Sequence, residues 1–415
     1  MARKFEIPSF YRSPIVSTIK AARRSADQMK RDLSPTILDL GPVRFKIARH
    51  FGFCFGVENA IEIAYRAIAE NLGRRIFLLS EMIHNPQVNA DLLSRGVRFL
   101  ISADGRELVP FEEIGGDDVV IVPAFGTTVE IFERLEKLGV NPLRYNTTCP
   151  FVEKVWTRAQ ALGDRGYSIV IHGKRSHEET RATFSHAQLY APSVVVRNLQ
   201  EAKILAAFIT GMRPAAEFLA EFADRHSVNF DPQVHLSRVG VVNQTTMLAE
   251  ETQAISDLLR DTMRQVYGEQ SLAQHFADTR DTLCYATTEN QAATRALIQA
   301  GGDLALVVGG HNSSNTSHLV ELLSQHCPTY FIRDPQQIEG GELIRHLRLD
   351  TKEVTETRGW LPKKTGPTEI LVTAGASCPD RLIEEILLIV AQIFGAQQRL
   401  QSAVESFELR LRSHE

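Results

Sequence analysis

The sequence predicts an α/β protein with mostly parallel sheets, and three observations support that fold class. Short runs rich in Val, Ile and Leu alternate with helical patterns along most of the chain. The runs are continuous in hydrophobicity, as expected of strands that are covered by helices on both faces. The chain has 415 residues, and at roughly 150 residues per domain that length suits about three domains.

Six strand–helix units follow one another from residue 44 onward. The predicted strands and the helices after them are VRFKIARHFGFC with FGVENAIEIAYRAIAEN, DVVIVPAFG with TTVEIFERLEKLG, YSIVIHG with KRSHEETRATF, RVGVVNQ with TTMLAEETQAISDLL, DLALVVGG with HNSSNTSHLVELLSQ, and EILVTAG with ASCPDRLIEEILLIVAQIF. Each strand ends in a few small or polar residues, here called its tip. Because ligands of open α/β sheets bind beyond the carboxyl ends of the strands, we expect the tips to carry the function.

The predicted organisation has five segments. They are an N-terminal extension (1–43), three α/β domains (44–148, 149–283 and 284–395) and a C-terminal helical tail (396–415). Residues 203–236, rich in Ala, Phe and Glu, are predicted to form a helical insertion in the second domain. Residues 1–35 contain eight Lys and Arg against three Asp and Glu, with scattered apolar residues. The extension is therefore expected to lie over the fold or to fray.

Composition and charge exclude several classes of protein. Hydrophobic residues make up 43% and charged residues 23%, which is typical of a soluble globular chain. The net charge of −4 provides no basic field for nucleic acid or anionic lipid. No apolar run reaches the roughly 18–20 residues of a membrane span, and the N-terminus lacks the apolar core of a signal peptide. Five widely spaced Cys do not form a disulfide framework, so we expect a reduced, cytoplasmic protein.

Three strand tips carry a cysteine, at Cys54, Cys149 and Cys284. Each stands at the start of a helical pattern, where the helix dipole and the N–H groups favour a thiolate. Thiolates bind soft metals and above all iron–sulfur clusters, so three of them could hold a cluster with one iron open to substrate. The pattern alone leaves the alternative of inert, buried thiols open, because no C-x-x-C pair is present. Cys327 is predicted to be buried and inert, and Cys378 could ligate only by its position at a tip.

Other tips have the residue types of an anion site. Small hydroxyl and amide side chains open helices after three strands, at Gln244, Thr245 and Thr246, at Asn312, Ser313, Ser314 and Asn315, and at Ser377. Helix N-termini of this kind bind phosphate through backbone N–H groups, although ordinary N-capping favours the same residues. Three such tips in one chain favour a phosphate-bearing ligand.

His84, His177 and Glu179 complete the set of candidate residues. Histidine can offer charge to a phosphate, and a carboxylate in a partly closed site can carry protons. The alternatives are a surface or core histidine and an ordinary glutamate in the first turn of a helix.

In order along the chain, the tips resemble the family of 4-hydroxy-3-methylbut-2-enyl diphosphate reductases. The matching stretches are GFCFGVENAI, EMIHNPQV, TTCPFVEKV, SHEETRAT, NQTTML, LCYATTENQAA, VVGGHNSSNTSHL and TAGASCPD, within about residues 44–395. The resemblance implies three α/β domains in pseudo-threefold arrangement around a central 4Fe–4S cluster. It also implies an oxidoreductase that catalyses the last step of the non-mevalonate isoprenoid pathway.

The resemblance also implies the roles of individual residues. By their motifs, Cys54, Cys149 and Cys284 match the cluster ligands, and Glu179 with Thr245 match the groups that handle the proton near the substrate hydroxyl. The residues that match the family's diphosphate contacts are His84, His177, Thr246, Ser313, Ser314, Asn315 and Ser377. No ligand role transfers to Cys378, where the family usually carries a small residue.

One position departs from many bacterial members of the family. Where they carry a third diphosphate-binding His in an AHG motif, this chain has PAFG, so the position is Phe125. Plant and cyanobacterial members resemble this sequence there, and also share the N-terminal extension and the insertion around 203–236. Because Phe125 cannot contact phosphate ionically, the two histidines and the hydroxyls would have to hold the anion.

The reaction that the resemblance implies is a reductive dehydroxylation. It would convert an allylic diphosphate to isopentenyl and dimethylallyl diphosphate, with the alcohol activated at the open iron and electrons passed singly through the cluster. No G-x-G-x-x-G follows a predicted strand, so a small donor such as ferredoxin or flavodoxin is expected. The residues alone also allow a non-redox phosphosugar-type enzyme, a phosphate-binding module or a zinc hydrolase.

Overall fold

Three sheets organise the part of the chain that the computed structural model describes, residues 5–102, 105–228, 230–277 and 282–412. The strands of these segments, in chain order, are β1 (Thr36–Asp39), β2 (Val43–Ile47), β3 (Ile76–Leu78), β4 (Val97–Phe99), β5 (Val119–Ile121), β6 (Ser168–His172), β7 (Ser193–Val196), β8 (Val239–Asn243), β9 (Phe276–Ala277), β10 (Leu304–Val308), β11 (Thr329–Ile332), β12 (Ile338–Glu339), β13 (Leu343–Leu347), β14 (Val354–Arg358) and β15 (Thr368–Ala374).

The α-helices of the same segments alternate with these strands. They are α1 (Pro14–Ala26), α2 (Phe55–Glu70), α3 (Pro86–Ser94), α4 (Val129–Lys137), α5 (Pro150–Gly163), α6 (Glu178–Ala187), α7 (Leu199–Ile209), α8 (Phe218–Glu221), α9 (Pro232–His235), α10 (Ala249–Tyr267), α11 (Leu272–His275), α12 (Tyr285–Gln299), α13 (Ser314–Ser324), α14 (Asp380–Ile393) and α15 (Leu400–Arg412). None of these helices is both long and apolar enough to cross a lipid bilayer.

The contacts divide the chain into two units. The first unit consists of Met1–Glu58, His84–Gln87 and Tyr285–Glu415, and the second of Asn59–Ile83 and Val88–Cys284. The three predicted domains and their boundaries stay a prediction. The sheets follow the predicted domains only in part. β3–β5 fall within 44–148 and β6–β9 within 149–283, but β2 of the predicted first domain pairs with β15 of the predicted third domain.

The first unit is built on an eight-stranded sheet with the order β1-β2-β15-β10-β11-β13-β12, and β14 pairs with β13. Its centre, β2-β15-β10-β11, is parallel, and the strands outside that centre are antiparallel. The extension takes part in this unit, because β1 pairs with β2 and α1 buries Val16 and Ile19 in the core. The tail helix α15 buries Val404 and Phe407 in the same core.

The second unit contains two parallel sheets, with the orders β4-β3-β5 and β7-β6-β8-β9. All five residues of β6 and all five of β8 are buried, which explains why their sequences are apolar without alternation. The segment 203–236 is helical in large part, with α7, α8 and α9, and its Phe218, Phe222 and Phe230 pack into one apolar cluster.

The α/β class with mostly parallel sheets is confirmed, and so are the six strand–helix units. The predicted strands correspond to β2, β5, β6, β8, β10 and β15, and the predicted helices to α2, α4, α6, α10, α13 and α14. The pattern did not indicate β3, β4, β9 and β12, because strands of two or three residues are usually too short to show a period.

The parallel centre of the first unit contains a buried lysine. Lys46 Nζ on β2 donates to the carbonyls of Ala300 (2.8 Å) and Gly301 (2.9 Å) and to Glu369 Oε2 (2.8 Å) on β15. The pKa of the Glu369 carboxyl is lowered, first by the hydrogen bond from Lys46. All three donors of this ammonium group are therefore used inside the protein.

We expect Lys46→Met to lower the free energy of unfolding at pH 7 by about 1–3 kcal/mol, because three acceptors lose their donor. The control is Lys137→Met, whose side chain is 79% exposed and which should change little. Because the pKa of Glu369 is lowered in the folded state, its contribution is fully present above the unfolded pKa of about 4.3 and is lost as the pH falls from there through the lower folded pKa. Denaturant titrations measure the free energy of unfolding of the wild type and of Lys46→Met. The difference between the two proteins should be smaller at pH 3 than at pH 7.

Candidate functional site

Glu179 and Thr245 are brought together by two parallel strands that end in register. His172 at the end of β6 pairs with Asn243 at the end of β8, so the residues after both strands are neighbours. Thr245 N–H donates to Glu179 Oε1, and Thr245 Oγ1 donates to Glu179 Oε2 at 3.1 Å. Glu179 is only 2% exposed, so these two donors support a carboxylate that has lost nearly all of its water.

A glutamine fixes the backbone beside this pair. Gln244 Oε1 accepts from Thr180 Oγ1 (3.0 Å) and from the Lys174 N–H (3.2 Å), and its Nε2 donates to Thr246 Oγ1 (2.8 Å). Gly173 makes this packing possible, because an added Cβ would lie 2.6 Å from Thr180 Oγ1. Thr246 is therefore held at the same strand end as Glu179 and Thr245.

Two thiols lie beside this acid in the second unit. The Cys284 N–H donates to the Thr245 carbonyl at 3.2 Å, and Cys149 is the N-cap of α5. The pKa of the Cys149 thiol is raised to about 11, first by burial and then also by Cys284 and Glu179. The N–H groups of Phe151 and Val152 act in the opposite direction. Cys284 and Glu179 therefore lie close enough to Cys149 to disfavour a negative charge on its thiol.

His177 occupies the N-terminus of the helix that carries Glu179. Its Nδ1 accepts from the Glu179 N–H at 3.3 Å, so it caps α6 through its ring. A neutral ring that accepts at Nδ1 carries its proton on Nε2, which leaves that nitrogen as a donor. Phe125 lies edge-on against this ring, with 5.8 Å between the ring centroids.

The first unit gathers the other predicted residues around Ala376. The Cys54 N–H donates to the Ala376 carbonyl at 3.2 Å, and the Ala376 N–H donates to Asn315 Oδ1 at 3.0 Å. Ser377 Oγ donates to the His84 carbonyl at 3.1 Å. Cys54, His84, Asn315 and Ser377 thus share one strand end, beyond β15.

Glycines allow the close approach that this arrangement needs. A Cβ at Gly310 would lie 2.2 Å from the His84 carbonyl oxygen, and one at Gly375 would lie 2.0 Å from Thr316 Oγ1. Ser313 is the N-cap of α13, and its Oγ accepts from Thr316 N–H (3.3 Å) and from Thr316 Oγ1 (2.9 Å). Ser314 Oγ lies 3.5 Å from His318 Nε2. The alternative of N-capping is therefore realised at Ser313, at a helix end that also has the residue types of an anion site.

The sequence analysis assigned no role to three residues of α12. Tyr285 Oη accepts from the Phe55 N–H (3.2 Å), and Thr287 Oγ1 accepts from Asn315 Nδ2 (3.4 Å). Asn290 Nδ2 donates to Asn315 Oδ1 (3.4 Å). Thr287 and Asn290 are buried and three residues apart on one helix face, and such a pair of polar residues was the available signal.

The side chains of the two remaining cysteines pack against other groups. Cys378 is buried with its Sγ against the Pro379 carbonyl (3.6 Å), and burial raises its thiol pKa. Cys327 is half-buried against an apolar cluster, and burial likewise raises its thiol pKa. Both positions suit protonated thiols that pack as small apolar groups.

The fold and these strand ends define a class of protein, an α/β protein that presents thiols, a buried carboxylate and helix N-termini rich in hydroxyl and amide residues beyond parallel strands. The chain belongs to the LytB protein family, whose model matches residues 45–391. The family expected from the motifs is confirmed.

Curated relatives of this chain carry one name. The 4-hydroxy-3-methylbut-2-enyl diphosphate reductase of Gloeobacter violaceus is 39% identical over 358 residues, which cover 86% of this chain and 84% of that protein. The reductase of the same name from Acaryochloris marina is 41% identical over 360 residues and 84% of either chain. These relatives are cyanobacterial, as the PAFG motif indicated.

A solved structure is similar in fold. The E-1-hydroxy-2-methyl-but-2-enyl-4-diphosphate reductase from Plasmodium falciparum matches with a TM-score of 0.59 at 20% identity, over 84% of this chain and 87% of that one. At this identity the likeness supports the fold alone.

We expect Gly310→Ala to weaken binding of inorganic diphosphate by about tenfold, because the added methyl group displaces the His84 carbonyl. Isothermal titration calorimetry on the full chain measures the affinity. Gly115→Ala is the matched control, because a Cβ there meets no atom within 4 Å. Unchanged affinity in Gly310→Ala would contradict this prediction, because it would show that the position of the His84 carbonyl does not affect anion binding.

Proposed function

We propose that this chain reduces 4-hydroxy-3-methylbut-2-enyl diphosphate to isopentenyl and dimethylallyl diphosphate, the last step of the non-mevalonate isoprenoid pathway. The reaction replaces a C–OH bond by a C–H bond, consumes two electrons and two protons, and releases water. The observation that carries the proposal is the group of Glu179, Thr245 and Cys284 at one strand end of the second unit, with Cys149 near enough for Cys284 and Glu179 to raise the pKa of its thiol. The family and the curated relatives support the same reaction.

The cofactor in this proposal is a 4Fe–4S cluster ligated by Cys54, Cys149 and Cys284. The donor set fits such a group, because a soft cation stabilises thiolates that burial and neighbouring acidic groups otherwise keep protonated. The backbone N–H groups at the start of α5 further favour a thiolate at Cys149. When bound, the cluster would supply Lewis-acid activation of the alcohol and transfer of single electrons.

The substrate's diphosphate is held by histidines, hydroxyls and helix N-termini. In the first unit these groups are His84, Ser313, Ser314, Asn315 and Ser377, and in the second they are His177 and Thr246. The N–H groups at the start of α13 and the donor at His177 Nε2 suit oxyanions. Phe125 fills the place of a third histidine and contacts the His177 ring instead.

Proton delivery is assigned to Glu179, with Thr245 as its relay. Thr245 Oγ1 donates to Glu179 Oε2, and a hydroxyl can both donate and accept. Once the carboxyl group is protonated, the same oxygen pair can pass a proton in the other direction. The Thr245 N–H keeps the carboxyl group in place while this happens.

The electrons come from a small carrier protein such as ferredoxin or flavodoxin, and the reaction takes place in the cytoplasm. None of the five cysteines, all of which lie among the described residues, forms a disulfide, which suits a reducing compartment. The substrate is a small molecule, so the proposal includes neither nucleic acid nor a membrane as a partner.

The chain purified without oxygen should be brown and carry about four irons per chain, with matching sulfide. Cys284→Ser should lose iron and activity together, because serine is a poor ligand for this metal. Cys327→Ser is the matched control and should keep both. Bound zinc in place of iron, or full iron in Cys284→Ser, would contradict the assignment of the ligands.

Glu179→Gln should retain iron and bind substrate while kcat falls by about 10²- to 10⁴-fold, the usual contribution of a general acid. The reason is that the amide accepts a hydrogen bond but carries no transferable proton. Steady-state assays with a chemical reductant measure kcat beside the control Glu133→Gln, whose side chain is 60% exposed. Normal turnover by Glu179→Gln would remove the proton-delivery role.

A further inference from the structure

The N-terminal segment 5–26, here called the strap, lies over the loop 49–55 that carries Cys54, here called the Cys54 loop. Both belong to the first unit. The Cys54 loop is neither helix nor strand until α2 begins at Phe55. Backbone hydrogen bonds hold it at Cys54 N–H to the Ala376 carbonyl and at Phe55 N–H to Tyr285 Oη. The position of the thiol therefore depends strongly on side-chain packing around the loop.

Aromatic residues stand at every second position of the loop, at Phe51, Phe53 and Phe55, and each contacts one residue of the strap. Lys20 Nζ lies 4.8 Å from the ring centroid of Phe51. The Tyr11 and Phe53 rings are 5.8 Å apart between centroids, and the Phe5 and Phe55 rings are 4.9 Å apart, both edge-on. Phe5 and Tyr11 are 4% and 3% exposed, so the strap buries its own aromatic side chains in these contacts. Contacts of this kind are favourable beyond the apolar area they bury.

An ion pair fixes the strap against the middle of the loop. Lys20 Nζ lies 2.7 Å from Asp380 Oδ1, at the start of α14, and both side chains are mostly buried. Gly52 lies directly beneath this pair, since an added Cβ would be 2.6 Å from Asp380 Oδ1 and 3.2 Å from Lys20 Nζ. Gly52 also has a φ of +76°, a conformation that favours glycine. The loop therefore passes under the ion pair with no room for a side chain.

The start of the loop is tied to the end of the strap. Arg49 is buried, and its Nη2 donates to the Arg23 carbonyl in the last turn of α1 at 3.2 Å. A cation at a helix C-terminus also interacts favourably with the helix dipole. The strap itself is anchored in the core by Val16 and Ile19. Contacts from Phe5 to Arg23 thus follow the loop from Arg49 to Phe55.

We propose that the strap positions the Cys54 thiol, with Phe5, Tyr11 and Lys20 as positioning residues that hold the Cys54 loop in its ligand geometry. The inference rests on the proposed function in one respect, since it takes Cys54 as a metal ligand. The strap contributes no ligand and no substrate contact. Its effect is to suppress local opening of the loop, which would release the thiolate and expose the cluster.

The experiment compares the double variant Phe5→Ala/Tyr11→Ala with the wild-type full chain. Hydrogen–deuterium exchange of the amides of Cys54 and Phe55 should become about tenfold faster, as expected when two aromatic contacts no longer oppose local opening. Release of iron to a ferrous chelator should accelerate, while KM for substrate stays unchanged. Met29→Ala, a 71% exposed position outside the strap, is the control and should match the wild type.

A second pair of variants guards against general unfolding of the double variant. Lys20→Met should open the loop and speed iron release, and Lys20→Arg should restore both, because it keeps a cation over Phe51 and a partner for Asp380. Unchanged exchange at Cys54 in Lys20→Met and in the double variant would overturn the proposal. Equal acceleration in α5, which lies in the other unit, would overturn it as well, because that result indicates global loosening.

The two proposals fail in different ways in this experiment. If the wild-type chain holds no iron, the proposed function fails, and the exchange rates still decide whether the strap holds the loop. If iron is present and the loop exchanges alike in all variants, the strap proposal alone fails.

Discussion

Parallel strands that end in register are the constraint on which the candidate site depends. The pairing of His172 with Asn243 places the residues after β6 beside those after β8, and the pairing of Val308 with Ala374 does the same for β10 and β15. Glycines follow three of these strands, at Gly173, Gly309 and Gly375, and added Cβ atoms there would clash with Thr180 or Thr316. Glycine therefore has the same role at both strand ends. Two backbones can approach a helix N-terminus closely only where no side chain lies between them.

The candidate site of the second unit is organised around a buried carboxylate that one threonine holds. Glu179 keeps its place because Thr245 donates to both of its oxygens, and Cys284 is linked to the same threonine through its carbonyl. Burial, Cys284 and Glu179 raise the pKa of the Cys149 thiol, so a thiolate at this position would need a cation such as a metal ion to stabilise it. A single threonine thus connects the carboxylate of Glu179 to the backbone of Cys284.

Much of the fold and of the residue set could be predicted, because the helical and strand periods are strong in the six repeated units. The structure brings several residues of the predicted tips together, since hydrogen bonds join Glu179 to Thr245 and, through Ala376, Asn315 to Cys54. Thr287 and Asn290 were missed because their role is to support another side chain, Asn315, which is 25–28 residues away in sequence. The contacts of the extension were missed because its apolar residues are scattered and show no single period.

The sequence by itself determined the class of fold, the strand–helix units and the family, since these depend on local period and on motifs that are read residue by residue. Only the tertiary structure decided that Thr245 bridges Glu179 and Cys284, that Gly310 admits the His84 carbonyl, and that residues 5–26 cover the Cys54 loop. The physical reason is that these contacts join segments from 26 to over 220 residues apart. Such contacts are set by the register of strands and by packing, which no local pattern encodes.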